Sequence, residues 1–152
     1  MIKSILSNQY VVLALRLLLG LTFFFASIDK ISNPSAFATA IANYRLTSGT
    51  FTLAVATVLP WIELLCGLAI LSGPYLRGAT LLLCVMLSAF TLAVITGLIR
   101  GLDISCGCFT LDPDVNRIGW QKVFENLGLI LASIMLFFSE TDKFQLRTYS
   151  RE

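Results

Sequence analysis

The sequence predicts an all-α fold, an integral membrane four-helix bundle with a short interfacial helix after the first span. Three observations carry that prediction. Hydrophobic residues make up 57% of the chain and charged residues 13%, where an ordinary soluble domain carries about 25% charge. The mean hydropathy is +0.83. Four apolar stretches reach or approach the ~20 helical residues that cross a ~30 Å hydrocarbon core. Helices are the expected form, because in lipid each backbone polar group must be bonded within its own segment.

The first run covers about residues 10–28 and is interrupted by Arg16. It is longer than the apolar core of a signal peptide, contains an arginine and lacks a clear small-x-small cleavage site, so it is expected to remain as the first span. Asp29 and Lys30 follow and are expected to end this helix at the outer interface. Asn33-Pro34 marks a turn, with Ser32 or Asn33 as a cap and Pro34 opening a short helix to about Tyr44. Its apolar residues Phe37, Ala40, Ile41 and Tyr44 recur at helical spacing. The segment is expected to lie over the mouth of the bundle, beside the cysteine loop discussed below; a plain amphipathic linker is the alternative. The second span is expected over about residues 51–71, interrupted by Pro60 and Glu63, and the third over 76–99, with no charge after Arg77. The fourth is expected over about 121–138, with Glu125 near its start. One transmembrane domain, residues 1–152, accounts for all four.

An even number of spans puts both termini on one side. Counting positive charges does not settle which: Lys3, Arg77, Lys143, Arg147 and Arg151 balance Lys30, Arg45, Arg100, Arg117 and Lys122. The basic C-terminal tail KFQLRTYSR and the grouping of both long loops on one face favour cytoplasmic termini and an extracytoplasmic cysteine loop, in a cell inner (plasma) membrane. A net charge of +2 with no basic run gives no nucleic-acid partner, and the absence of histidine removes the commonest general base and metal ligand.

The chemistry-bearing motif is DISCGCFT, residues 103–110. Cys106 and Cys108 flank one glycine. Their Cα separation can approach the ~5.5–6 Å that a disulfide prefers, and Gly107 allows the backbone dihedrals such a small ring needs. The ring is too short to stabilise a fold by constraining the unfolded chain. Strained, exposed disulfides belong to the labile or catalytic class. Redox chemistry is therefore one reading of Cys106 and Cys108. Half of a metal site is another, although a zinc site needs four ligands and the nearby candidates are Asp103, Asp112 and Asp114. Two thiols without chemistry is the third. Cys66 and Cys84, inside the second and third spans, fall at similar depth on antiparallel neighbours at ~1.5 Å per residue. They form a candidate second thiol pair, or pack as small hydrophobes.

Arg16 and Glu63 are the deep charges. A charge near the bilayer centre costs at least ~2.5–3.5 kcal/mol on insertion scales, so each should face the interior and have a partner. The sequence predicts an Arg16–Glu63 pair, serving either helix register alone or a polar pocket for a proton, a substrate or a quinone head-group. Pro60 frees the carbonyl of Ala56, and kinked polar spots in spans line cavities. Glu63, Cys66 and Gly67 share a helix face. Trp61 is expected towards the outer interface, and Gly20, Gly67, Gly97 and Gly128 at close helix approaches.

These landmarks together resemble the MauE branch of the DoxX-like four-helix membrane proteins. The resemblance lies in RLLLGLTFFFASIDKISNP, FATAIANYRL, LPWIELLCGLAILSGPYLRGA, RGLDISCGCF and GWQKVFENLGLIL, from residue 16 to about 131. CGCF is its most diagnostic part. Thr110 departs from the glycine of many relatives. The resemblance implies an extracytoplasmic thiol–disulfide role, since MauE-like proteins are associated with methylamine dehydrogenase maturation alongside a thioredoxin-like partner. It also brings in quinone as a candidate cofactor, through DoxX-like proteins linked to thiosulfate oxidation. The reading that follows is a membrane thiol–disulfide oxidoreductase using Cys106 and Cys108. Two alternatives stay open: a carrier of a small sulfur species or metal ion captured by the same pair, and a non-catalytic assembly factor.

Overall fold

The structure is a computed structural model that describes residues 9–46, 49–73, 75–104, 106–107 and 118–139. Cys108, Thr110, Asp112, Asp114, Arg117 and the charges of both termini lie outside these residues. The described residues form five helices and no strand: α1 (Gln9–Ser32), α2 (Pro34–Asn43), α3 (Thr50–Ser72), α4 (Leu76–Ile99) and α5 (Trp120–Phe138).

Helices α1, α3 and α4 are long and apolar enough to cross a membrane, which makes the chain a multi-pass membrane protein. Their outward faces agree, with Phe25, Leu65, Val85 and Leu92 all exposed. Such surface is favourable against lipid and unfavourable against water. The fourth expected span falls on α5, whose first two turns carry Gln121, Lys122, Glu125 and Asn126. The short helix after the first span exists as α2, with Pro34 in its first turn and Asn33 at the N-cap making no side-chain capping bond.

The helices pack as two pairs, α1 with α3 and α4 with α5, and the contact between α3 and α4 is slighter. Glycine explains the first pairing. A Cβ on Gly67 would stand 3.1 Å from the carbonyl oxygen of Gly20 and 3.2 Å from the amide nitrogen of Phe24. Only a residue without a side chain lets the two backbones come so close. Gly97 has a packing role of a different kind, against the Ile118 side chain and the Tyr44 ring, whereas nothing lies within 4 Å of a Cβ on Gly128. At one end of the bundle Leu19, Ile70, Leu83 and Leu136 form the larger buried cluster. At the other, Tyr44, Val94, Cys106 and Val123 form a smaller one.

Candidate functional site

The predicted Arg16–Glu63 pair does not form. Arg16 is buried, with Nε donating to the carbonyl of Ile70 at 3.0 Å and an Nη to that of Leu71 at 3.2 Å. These are carbonyls of the last turn of α3, which have no partner within the helix. A cation there also meets the negative end of the helix dipole. Glu63 instead binds Lys30, whose Nζ lies 2.7 Å from Oε2 and 2.9 Å from Oε1. Helical side chains lean towards the N-terminus of their own helix. On antiparallel α1 and α3 that lean carries Arg16 towards the end of α3 and away from Glu63. It carries Lys30 inward and Glu63 to meet it. Counting depth by residue number omits this lean, and it treats Lys30 as the end of the helix when α1 runs on to Ser32. Lys30 is 1% exposed and its ammonium also sits 5.1 Å from the centre of the Phe37 ring, which ties α2 to the ion pair.

Cys106 is disulfide-bonded and fully buried. Its backbone is held from α2 and α4. The Tyr44 hydroxyl donates to the Cys106 carbonyl at 3.0 Å, and an Arg100 Nη donates to the Tyr44 carbonyl at 2.9 Å. The Tyr44 ring meets Phe90 edge-on, with centroids 6.2 Å apart. Burial pushes the Tyr44 phenol above its ordinary pKa, so it remains a donor. Gly107 has φ +65°, a conformation that glycine adopts without penalty. A Cβ there would lie 3.0 Å from that of Ala40. The glycine of the motif thus does two things: it makes the turn and it lets the turn sit on α2. The amide of Ile118 donates to the carbonyl of Ile104 at 2.9 Å and closes the base of the loop. Cys66 and Cys84 are free thiols, with Cys66 buried in the larger cluster as a small hydrophobe.

A cavity of about 380 Å³ occupies the seam between the helix pairs. Phe51, Val55, Leu59 and Glu63 line it from α3, at a four-residue spacing that gives one helix face. Ala89, Phe90 and Ala93 line it from α4, Phe37 and Ala40 from α2, Cys106 from the loop and Asn126 from α5. Glu63 and Cys106 therefore share one cavity, while Arg16 does not line it. Three contributors were missed by sequence reasoning: Lys30 as the partner of Glu63, Tyr44 as the anchor of the motif, and Asn126. For Lys30 the available signal was side-chain lean. For Asn126 it was a lone amide seven residues before Ser133, on one face of an otherwise apolar stretch.

The family model of methylamine utilisation protein MauE matches residues 8–139. The methylamine utilization protein MauE of Methylophilus methylotrophus is 35% identical over 133 residues, covering 84% of this chain and 67% of the relative. That of Methylorubrum extorquens is 31% identical, covering 90% and 73%, and that of Paracoccus denitrificans 28%, covering 86% and 70%. No solved structure matches. With the match running from the start of α1 to the end of α5, the chain belongs to the MauE family.

Proposed function

We propose that this protein is a membrane thiol–disulfide oxidoreductase, exchanging electrons through a Cys106–Cys108 pair with an extracytoplasmic thioredoxin-like partner. The observation that carries the reading is that Cys106 is disulfide-bonded while Cys66 and Cys84 are free thiols. Its client is a protein of methylamine utilisation, a reading supported by the names of its relatives and the family resemblance. The termini are cytoplasmic, α5 is the fourth span, and α2 lies at the outer interface as part of the docking surface.

Burial sets the order of steps. Cys106 is 0% exposed, so a thiolate of the partner attacks the sulfur of Cys108. An S–S bond forms between partner and Cys108, and the Cys106 thiolate leaves. The partner's second thiolate then attacks its own sulfur in the mixed disulfide, releasing Cys108. Two electrons and two protons pass from the partner's dithiol to the Cys106 and Cys108 thiols. Cys106 lines the cavity. The Tyr44 bond and the seat of Gly107 on Ala40 keep the backbone in place while the sulfurs exchange. A quinone, when bound, supplies a lipid-soluble acceptor for those two electrons and two protons. The Lys30–Glu63 pair holds charge at the cavity wall, and Glu63 is the group placed to take a proton there.

The test is thiol trapping with a membrane-impermeant alkylating agent, before and after mild reduction, with a redox titration of the couple. The expected result is Cys106 and Cys108 oxidised as isolated, labelled from outside only after reduction, and titrating above structural disulfides. Thiols that stay free under oxidant overturn the reading. Metal bound at a fixed ratio to the thiols would make the protein a carrier, and full function in the Cys106→Ser/Cys108→Ser variant would make it an assembly factor.

A further inference from the structure

Asn126 is 1% exposed, and neither its amide nitrogen nor its amide oxygen has a hydrogen-bond partner among the described residues. Buried polar groups without partners are rare in folded proteins, and each costs about 1–3 kcal/mol. A position that served packing alone would be met by leucine at no such cost. The orphaned amide is also not in an arbitrary place. It lines the same cavity as Cys106 and Glu63, and the other described residues of the lining are apolar or aromatic.

The cavity has the form of a small-molecule site. Its volume of about 380 Å³ falls in the range of roughly 300–1,000 Å³ common for such sites, which pair an apolar lining with a few polar groups. The deep wall is buried: Phe23, Phe37, Tyr44, Cys106 and Asn126. The opposite lining residues Leu46, Phe51 and Val85 are exposed, on a side of the bundle that faces lipid if the long helices span. The cavity therefore opens laterally, where a ligand dissolved in the bilayer enters without crossing water. Its deep end offers one amide that both donates and accepts.

We infer that Asn126 is the polar anchor of a quinone head-group site in the seam between the two helix pairs, with the ring beside Cys106 and the isoprenoid tail leaving past Phe51 and Val85. The choice of quinone as ligand class rests on the proposed redox function. The cavity, its lateral mouth and its unpaired amide do not. A planar ring with carbonyl or hydroxyl oxygens matches both features: aromatic walls for the ring, and an amide whose nitrogen donates to a carbonyl or whose oxygen accepts from a hydroxyl. The same side chain can thus hold the oxidised and the reduced ligand.

The experiment is equilibrium binding of a short-chain ubiquinone to the purified full chain in detergent, with the thermal unfolding midpoint measured alongside. The expected result is saturable binding, one ligand per chain, and a raised midpoint. Asn126→Leu is expected to weaken binding by roughly tenfold or more while leaving the ligand-free midpoint equal or higher. A merely structural amide would show the reverse, a lower midpoint and unchanged affinity. Ala89→Phe narrows the mouth from an exposed position and is expected to weaken binding with no loss of folding, which keeps the test alive if Asn126→Leu does not fold. Wild-type chain that does not bind, or Asn126→Leu and Ala89→Phe that both bind like wild type, overturns the inference. The Cys106→Ser/Cys108→Ser variant separates it from the redox reading. Asn126-dependent binding in a chain whose cysteines prove inert keeps the site and sinks the oxidoreductase. Exchange-competent cysteines in a chain that binds no quinone do the opposite.

Discussion

Helix α3 has two seams, and they are built in opposite ways. Against α1 it is closed. Gly20 and Gly67 bring the backbones into contact, Arg16 occupies the last-turn carbonyls, and Lys30 reaches in to Glu63. Against α4 it is hollow. Phe51, Val55 and Leu59 face Ala89 and Ala93 across a cavity. Small residues occur on both sides, yet they shrink the gap only where a partner helix comes close enough to fill it. On the α1 side, glycine is met by backbone. On the α4 side, alanine is met by space, because α4 commits its main packing face to α5. The closed seam positions the hollow one, and Glu63 belongs to both.

Glu63 is therefore where the comparison breaks most easily. Glu63→Ala leaves the Lys30 ammonium buried without its partner. Breaking a buried pair from one side costs about 3–5 kcal/mol, so a large drop in unfolding free energy in detergent is expected. A Lys30→Met/Glu63→Met double variant, which removes both charges, is expected to recover most of that loss. If the double variant is as unstable as Glu63→Ala, the pair is more than a compensated burial and its charges serve packing through other groups.

Gly67 tests the closed seam directly. Gly67→Ala puts a Cβ within 3.1–3.2 Å of backbone atoms of α1, which cannot rotate away as a side chain can. Overpacking of this kind costs about 1–3 kcal/mol. Gly128→Ala is the control. With no atom within 4 Å of its Cβ, it is expected to stabilise α5 by up to about 1 kcal/mol through helix propensity. Equal effects from the two substitutions, read as shifts in the thermal midpoint, would mean that the α1–α3 seam is not set by glycine contact.

The same contrast explains what was legible beforehand. Apolar runs mark the helices well, because burial in lipid needs length and hydrophobicity and nothing more specific. The third expected span coincides with α4, and α3 differs by one residue at each end. The end of α1 was misread because apolarity stops at Ile28 while hydrogen bonding does not, so that Asp29 and Lys30 extend the helix. The ion pair was misassigned for a related reason. Sequence gives the depth of a Cα, whereas a long side chain acts one turn away from it. The cysteine motif and its neighbourhood with α2 were readable, since spacing and the Asn33-Pro34 turn are local. Asn126 was readable as a letter and not as a site. That its amide has no partner is a property of the surrounding packing, which only three dimensions supply.

A smaller loss than that of Gly67→Ala sharpens the motif end of the hollow seam. Tyr44→Phe removes the hydroxyl that donates to the buried Cys106 carbonyl. The expected cost is about 1–2 kcal/mol, and a faster reduction of the Cys106 disulfide as its backbone loosens. The pH dependence gives an independent check. Burial raises the Tyr44 phenol above its ordinary value. An acid raised on folding contributes its stability fully below its unfolded pKa and loses it as pH rises through the folded one. Wild-type stability is therefore expected to decline above about pH 10, the unfolded value for tyrosine, more steeply than that of Tyr44→Phe. Parallel pH profiles would mean that the hydroxyl is not held as the hydrogen bond requires. An unchanged reduction rate would mean that the seat of Gly107 on Ala40 holds the motif by itself.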